Sequence, residues 1–267
     1  MSGRVKATAL VLAGRRDGSI DALAAAHGVA DKCLVPVLGT PCIEHVLQAL
    51  VAAPEIGNVV ISINDPAILK GLPTAERLAA EGRLTALKAE HNLAESVLAA
   101  AGHAQFPILI TTADNVLMTP ESIALMINGA GDADAAAAFA RKADILAAHP
   151  EGQRRFYEFS DDGYSNCNTY WIARPDVLRV VEIFREGGQF AKNPARVIAA
   201  FGLINTLMFR QGWLSLAGAF KRISKRMKVA LVPVVLADGS YAIDVDNERT
   251  HACATEIMAR RRAAAAA

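Results

Sequence analysis

The stretch Ala7–Ile43, ATALVLAGRRDGSIDALAAAHGVADKCLVPVLGTPCI, decides how the rest of the chain is interpreted. It opens with a short apolar run that ends at Gly14, the pattern of a central strand in a parallel sheet. Gly14 and Gly18 let a ligand approach the backbone of the following turn closely, and Arg15 and Arg16 stand beside them. Ligands of open α/β sheets bind at the carboxyl ends of the strands, so we expect this turn to bind one.

A single lysine follows in the same stretch. Lys32 leads into the apolar run that ends at Val37, and Gly39-Thr40-Pro41 precedes an amphipathic helix. The succession L-A-G, K-x-L-x-P-V and G-x-P-x-I-x-x-V-L resembles the opening of nucleotidyltransferases of the MobA-like or sugar-phosphate type. Two departures from that pattern are Arg15, where a second glycine is usual, and Asp31, where a proline is usual.

The resemblance implies a fold and a set of roles. The fold is a Rossmann-like, GT-A-like α/β fold with three layers (α/β/α) around a mostly parallel mixed sheet. The implied nucleotide-binding residues in the first turn are Leu12, Ala13, Gly14 and Gly18, and the implied catalytic positive charges are Lys32, Arg15 and Arg16.

The remaining chain alternates apolar runs with helical patterns, which is typical of a parallel sheet with helices on both faces. We expect one domain over residues 1–267, in which residues 144–228 form the substrate-facing half with a helical insertion. The predicted strands are Ala7–Leu12, Asn58–Ile63, Ile108–Thr112, Ala135–Ala140, Thr169–Ala173 and Val229–Val235. The predicted helices are Pro41–Ala53, Asp65–Leu72, Leu93–Gln105, Pro120–Asn128, Pro175–Glu186, Pro194–Phe201, Leu214–Arg226 and Asn247–Arg262, followed by a frayed Ala-rich end.

Composition excludes several classes of protein. A formal net charge of +1 gives no attraction to nucleic acid. The four cysteines are widely spaced and form no Cys/His motif, so neither a zinc site nor a disulfide framework is indicated, and the six histidines are interpreted as structural or solvated. The N-terminus lacks the regions of a signal peptide, which favours a cytoplasmic location.

The segment around Asn92 carries two interpretations. Asn92 can cap a helix that has Glu95 at its third position, much like a capping box. The resemblance instead implies that Asn92 and Ser96 meet the nucleobase or ribose. Both interpretations are compatible, because a helix N-terminus also offers free N–H groups.

An aspartate ends the buried strand Ile108–Thr112, where a carboxylate has few structural uses. The segment T-A-D-x-x-x-x-x-P-E resembles the metal-binding segment of the family, which implies that Asp114 holds a divalent ion and contacts the nucleotide. Asn115 follows it and can offer a carbonyl oxygen to Mg²⁺. The alternative is that Asp114 only caps a turn between strand and helix.

A second acidic pair, Asp244 and Asp246, lies before the last predicted helix. On an extended segment both carboxylates would face the same side and repel each other unless a cation lay between them. The resemblance implies that Asp246 reaches the metal, with Asp244 second. The alternative is that Asp246 caps the following helix.

The acceptor side is marked less clearly. Asn168 loosely matches an asparagine that meets the acceptor in sugar-phosphate relatives, although a turn asparagine is an equal alternative. Lys192, in a glycine-containing loop, is a candidate for the acceptor phosphate. Residues 203–228 combine apolar and basic side chains, which fits weak contact with an anionic membrane, a helical hairpin or a solvated face.

These features together predict a Mg²⁺-dependent enzyme that joins a nucleoside triphosphate to a small phosphorylated alcohol or sugar and releases pyrophosphate. CTP is favoured, since K-x-L-x-P-V with D-V-D is similar to cytidylyltransferases. The alternatives are a molybdenum-cofactor-type guanylyltransferase, a GT-A glycosyltransferase and a non-catalytic nucleotide-binding homologue. The sequence does not specify the oligomeric state.

Overall fold

The structure, a computed structural model, describes residues 5–14, 21–184 and 202–266. Its strands are β1 (Ala7–Ala13), β2 (Pro36–Val37), β3 (Thr40–Pro41), β4 (Ile56–Ile63), β5 (Leu84–Lys88), β6 (Ile108–Thr112), β7 (Ala135–Arg141), β8 (Tyr157–Glu158), β9 (Gly163–Ile172) and β10 (Leu231–Leu236). Its α-helices are α1 (Ala22–Ala26), α2 (Cys42–Ala52), α3 (Pro73–Ala80), α4 (Leu93–Ala101), α5 (Pro120–Ala130), α6 (Lys142–Ala148), α7 (Leu203–Arg210), α8 (Leu216–Met227) and α9 (Glu248–Ala266). Its 3₁₀ helices are Lys32–Leu34, Pro66–Leu69, Pro175–Phe184 and Gly239–Ala242.

The main sheet has eight strands. Seven of them follow the order β10-β7-β9-β6-β1-β4-β5, and β8 pairs with β9 alone. β9 runs antiparallel to β6, β7 and β8, while the other neighbours are parallel. The prediction of a mostly parallel mixed sheet is therefore confirmed.

β1 is central because both of its faces are buried. Ala9 and Val11 point into one apolar cluster, and Leu10, between them, points into a second cluster. The first cluster contains side chains of α2, α5 and α9, and the second contains side chains of α4 and of the 3₁₀ helix Pro175–Phe184. Helices thus cover both faces of the sheet, and the predicted three layers are confirmed.

All six predicted strands are present, although the fifth, β9, begins at Gly163 rather than at Thr169. The predicted helix Asp65–Leu72 is instead a short 3₁₀ helix, because the Asp65 side chain accepts from the backbone N–H of Ala67 and tightens the turn. The C-terminal alanines continue α9 to Ala266 rather than fraying. The predicted helix Pro194–Phe201 lies outside the described residues.

Several elements were not predicted from the sequence: the strands β2, β3, β5 and β8 and the helices α1, α3, α6 and α7. β5 is an edge strand whose side chains are only partly buried, so it lacks the continuous apolar run that marks β1 and β6. The unpredicted helices have 5 to 8 residues each, which is too short for a clear helical period.

The apolar and basic region of residues 203–228 forms α7 and α8. Ile204, Leu207 and Trp213 expose most of their surface to solvent, and Lys221 and Arg222 are exposed on α8. Within the described ranges, no helix combines the length and apolar character needed to cross a membrane. Contact with an anionic membrane surface stays a prediction, as does the assignment of residues 144–228 to the substrate-facing half.

The far edge of the sheet depends on small side chains. β7 consists largely of alanines, and Val234 of the neighbouring β10 lies directly against Gly129 of α5. A Cβ atom at Gly129 would lie 2.6 Å from Cγ1 of Val234, so glycine is what allows α5 to pack this closely on β10.

Replacing this glycine tests the close packing. In an exposed helix, alanine in place of glycine stabilises by about 1 kcal/mol. Gly129→Ala should instead lower the free energy of unfolding, measured with urea, by about 1–3 kcal/mol. The new methyl group would collide with Val234, whose β-branched side chain cannot easily rotate away. Adding Val234→Ala to Gly129→Ala should recover part of this loss. A Gly129→Ala variant at least as stable as the wild type would contradict the packing.

Candidate active site

The centre of the candidate site is an ammonium group held between two carboxylates. Nζ of Lys32 lies 2.6 Å from Oδ2 of Asp114 and 2.5 Å from Oδ1 of Asp246. Lys32 begins the 3₁₀ helix Lys32–Leu34, Asp114 follows β6, and Asp246 precedes α9. The fold therefore brings together three residues from the beginning, middle and end of the chain, all of which the sequence analysis had selected.

Asp114 is positioned by the end of β6. Its Oδ1 accepts a hydrogen bond from the hydroxyl of Thr112 at 2.5 Å, and its backbone carbonyl accepts from the N–H of Val245 at 3.1 Å. The next helix, α5, is capped by Thr119 and Ser122 in a reciprocal capping box. The alternative that Asp114 only caps this turn is thus wrong, because Thr119 caps the helix and Oδ2 of Asp114 accepts a hydrogen bond from Lys32.

Asp246 is likewise not the cap of the helix that follows it. The side chain of Asn247 accepts from the N–H of Thr250 at 3.2 Å, and the Thr250 hydroxyl accepts from the N–H groups of Asp246 and Asn247. Asn247 therefore caps α9, and the Asp246 carboxylate, which is largely exposed, points to Lys32.

The segment that carries Asp244 and Asp246 is not the extended strand that the sequence analysis assumed. The N–H of Asp246 donates to the carbonyl of Asp244 at 3.0 Å, which bends the chain into a tight turn. The two carboxylates consequently have different surroundings: Asp246 is open to solvent, whereas Asp244 is buried.

Asp244 is held by Asn168. Its Oδ2 accepts a hydrogen bond from the Asn168 amide, while its Oδ1 has no partner among the described residues. Burial raises the pKa of Asp244 well above its usual range, and the negative charges of Asp114 and Asp246 raise it further, against the opposite effect of Lys32. A cation near Oδ1 would stabilise the ionised form.

Asn168 reaches Asp244 through an irregular backbone. It has a φ of 47°, in the left-handed region that asparagine tolerates better than most residues, and its N–H donates to the side chain of Asn166. The pairing of β9 with β7 shifts register between Ala137 and Phe139. This irregularity interrupts the ladder near Asn168 and lets its side chain turn toward the carboxylates.

Lys32 is charged in this setting. Partial burial lowers its pKa, but the nearby carboxylates of Asp114 and Asp246 outweigh that effect, so the net change in the pKa is upward. The Lys32 ammonium therefore offsets part of the repulsion between the two aspartates.

The oxygen atoms around Lys32 are of the type that a hard divalent cation such as Mg²⁺ prefers, but with Lys32 between Asp114 and Asp246 the three carboxylates do not all lie within 4.8 Å of one another. Asp114, Asp246 and Asp244 offer carboxylate oxygens, the donor type that Mg²⁺ prefers. Within the described part of the chain, Oδ1 of Asp244 and Oδ1 of Asn115 are buried without a hydrogen-bond partner. Such orphaned oxygens are rare in folded proteins, and a cation or water would satisfy them.

Leu12, Ala13 and Gly14, the candidate nucleotide-binding residues that the structure describes in the first turn, lie at the same edge of the sheet. Leu12 of β1 pairs with Thr112 of β6, so Gly14 lies level with Asp114. Across β4, a Cβ atom at Gly14 would lie 2.8 Å from the Cβ of Ala89, at the end of β5, so this position requires glycine. Gly14 and the segment after β5 are therefore in direct contact.

The segment after β5 is held by the two residues predicted there. The Asn92 side chain accepts from the N–H of Glu95 and caps α4, which confirms the capping interpretation. The buried hydroxyl of Ser96 accepts from the N–H of Glu90 at 3.0 Å. Contact of Asn92 or Ser96 with a nucleobase stays a prediction.

Four predicted residues, Arg15, Arg16, Gly18 and Lys192, lie outside the described residues. Thr112 and Thr250 have supporting roles that were not predicted from the sequence. Each hydroxyl acts on an aspartate within a few residues of it, so the spacing T-A-D and D-N-x-x-T could have indicated both.

Comparison with known proteins gives one match to a family model and several matches to solved structures. The sequence model of the MobA-like NTP transferase domain matches residues 9–220. No protein of curated function matches the sequence.

Solved structures with the same fold include a hypothetical transferase from Thermus thermophilus, with 24% identity, a TM-score of 0.71, and coverage of 92% of this chain and 99% of that one. A CMP:2-keto-3-deoxy-manno-octonic acid synthetase complexed with CTP has 12% identity, a TM-score of 0.57, and coverage of 96% and 100%. A 4-diphosphocytidyl-2C-methyl-D-erythritol synthase from Anaerococcus prevotii has 9% identity, a TM-score of 0.56, and coverage of 96% for both chains.

Two substitutions of Asn168 separate its backbone role from its side-chain role. Asn168→Gly keeps the left-handed conformation accessible and removes the amide that Asp244 depends on, so we expect a loss of about 1–3 kcal/mol in the free energy of unfolding. Asn168→Ala should lose about 1–2 kcal/mol more, since alanine is strained at positive φ. Urea denaturation at neutral pH measures both losses. Equal stability of the two variants would argue against backbone strain at this position.

Proposed function

We propose that this chain, which belongs to the MobA-like NTP transferase family, transfers a cytidylyl group from CTP to a small phosphorylated alcohol or sugar in a Mg²⁺-dependent reaction. The observation that carries the proposal is the bridge from Lys32 to Asp114 and Asp246, at the carboxyl end of the central strands. A reaction between two phosphorylated anions needs positive charge at this position, and the chain supplies it.

The bond changes in the proposed reaction need no general base. An oxygen of the acceptor phosphate attacks the α-phosphorus of CTP, the bond between that phosphorus and the oxygen bridging to the β-phosphorus breaks, and pyrophosphate leaves with the electron pair. A phosphate monoester is mostly a dianion near neutral pH, so it is already a nucleophile. The protein has to align the two substrates and offset their charge.

Lys32 is proposed to act directly on the reacting phosphates. Its ammonium now lies between the two carboxylates, and the approach of a triphosphate would draw it toward the α-phosphate. Arg15 and Arg16 are proposed to neutralise the other phosphates, and the backbone N–H groups around Gly14 and Gly18 to donate to them.

Three aspartates are proposed to hold the divalent ion. Asp114 and Asp246 would bind it once Lys32 turns to the substrate, and Asp244 would contribute its unpartnered Oδ1. Magnesium, when bound, supplies charge that stabilises the phosphate oxygens of the transition state. Asn168 donates to Asp244 and would keep it oriented. Asn168 and Lys192 are proposed to meet the acceptor.

The choice of CTP rests on two supports. The motifs K-x-L-x-P-V and D-V-D are similar to those of cytidylyltransferases, and one structural neighbour carries CTP. GTP, the substrate expected of a molybdenum-cofactor-type guanylyltransferase, is the competing nucleotide.

Thermal unfolding with each of the four nucleoside triphosphates and Mg²⁺ tests the choice of nucleotide. At about 100 times its dissociation constant, a ligand stabilises by about 2.7 kcal/mol, which raises the Tm of a chain of this size by about 5 °C or more. We expect CTP to give the largest rise. A larger rise with GTP would replace CTP in the proposal, and no rise with any nucleotide would contradict nucleotidyl transfer.

Pyrophosphate release tests the catalytic residues. We expect Lys32→Ala and Asp114→Ala each to lower kcat/KM at least about 100-fold, because each removes charge that stabilises the transition state. Lys70→Ala, which removes an exposed lysine after the 3₁₀ helix Pro66–Leu69, is the matched control and should keep wild-type activity.

Circular dichroism should show that the Lys32 and Asp114 variants remain folded. Full activity in either one would show that the site is misassigned. Pyrophosphate release by the wild type also separates the transferase from a glycosyltransferase and from a non-catalytic homologue, neither of which releases it.

A further inference from the structure

A cluster of two histidines and a glutamate lies beside the candidate active site. One ring nitrogen each of His27 and His251 and a carboxylate oxygen of Glu248 all lie within 4.8 Å of one another. The centroids of the two imidazole rings are 4.6 Å apart, and Nε2 of His27 is 3.8 Å from Oε1 of Glu248. Among the described residues, this is the only group of three such side chains whose ligand atoms already lie within 4.8 Å of one another.

The second ring nitrogen of His251 is held in the way that metal ligands usually are. Nε2 of His251 lies 2.8 Å from the carbonyl oxygen of Pro36, and since a carbonyl only accepts, Nε2 must carry the proton. The lone pair of the neutral ring is then on Nδ1. Metal-binding histidines commonly donate their other N–H to a backbone carbonyl, which fixes the tautomer and the ring orientation.

The donor atoms favour zinc over magnesium. Two imidazoles and one carboxylate suit Zn²⁺, while Mg²⁺ prefers oxygen ligands alone. Tetrahedral Zn²⁺ with ligands at about 2.1 Å needs donor atoms about 3.4 Å apart. Binding would therefore require the side chains to move closer together, and the exposed carboxylate of Glu248 has room to rotate.

We propose that His27, Glu248 and His251 form a binding site for Zn²⁺ or a similar transition-metal ion, with a water at the fourth position. The site would link the end of α1, β2 and the first turn of α9. Lys32 follows the first of these segments and Asp246 lies two residues before the last, so a bound ion would fix two of the three segments that form the bridge from Lys32 to Asp114 and Asp246.

Zinc binding to the full chain tests this proposal without any nucleotide, so its failure is distinct from a failure of the proposed function. The protein is treated with a chelator, exchanged into buffer with excess Mg²⁺, and titrated with Zn²⁺ by calorimetry. Co²⁺ is used in parallel, because its visible absorption reports nitrogen and oxygen ligands. We expect one Zn²⁺ per chain, and a higher Tm when it is bound.

Four variants decide where the zinc binds. His27→Ala, His251→Ala and Glu248→Gln should each weaken Zn²⁺ binding at least about 10-fold. His149→Ala is the matched control, because His149 pairs with Glu256 at 3.1 Å, in a histidine–glutamate pair outside the cluster, and it should bind Zn²⁺ like the wild type.

Absence of Zn²⁺ binding in the wild type, or wild-type affinity in both His27→Ala and Glu248→Gln, would overturn the proposal. These two variants also decide the matter if His251→Ala does not fold, since only His251 has the additional bond to Pro36. Sulfur-type absorption of bound Co²⁺ would point to the buried cysteines and would equally overturn it.

Discussion

The structure depends on keeping several negative charges together at one edge of a sheet. Asp114 comes from the middle of the chain, Asp244 and Asp246 come from one segment near its end, and the three are close enough to influence one another electrostatically. Such a group repels itself unless positive charge lies within it. Lys32 supplies that charge, from a segment that the buried side chains of Val35 and Val37 anchor in the main apolar cluster. The Lys32 ammonium thus links the segments of Asp114 and Asp246, and it is also the proposed catalytic group.

The sheet topology explains how this convergence arises. β1, β4, β5 and β6 are parallel, so the turns after them gather at one edge. β9 runs the other way, and its irregular pairing with β7 turns Asn168 toward Asp244. The parallel strands therefore supply the turns expected to bind the nucleotide, whereas the antiparallel strand supplies the residue proposed for the acceptor. Because β9 is antiparallel to its neighbours, its course past the end of β6 is what brings Asn168 close to Asp244.

The sequence predicted the parts that rest on strong local patterns. β1 and β6 are continuous apolar runs, and Asp114 stood out because a carboxylate ended one of them. β5 was missed because its side chains are only partly buried. The capping of α9 by Asn247 rather than Asp246 depends on which side chain faces the helix, which composition alone does not decide. The pair His27 and His251 is far apart in the sequence, so only the tertiary fold could bring it together.

Asp244 is a buried carboxylate that lowers the stability of the fold. A buried acceptor without a partner destabilises a protein by about 1–3 kcal/mol, and a carboxylate beside two others costs more. An apolar residue there would satisfy every rule of core packing, so the aspartate is unfavourable for stability alone. Violations of this kind concentrate at functional sites, where a ligand supplies the missing interaction. The orphaned oxygen of Asp244, rather than the exposed carboxylate of Asp246, is therefore the strongest local argument that this edge of the sheet binds a cation.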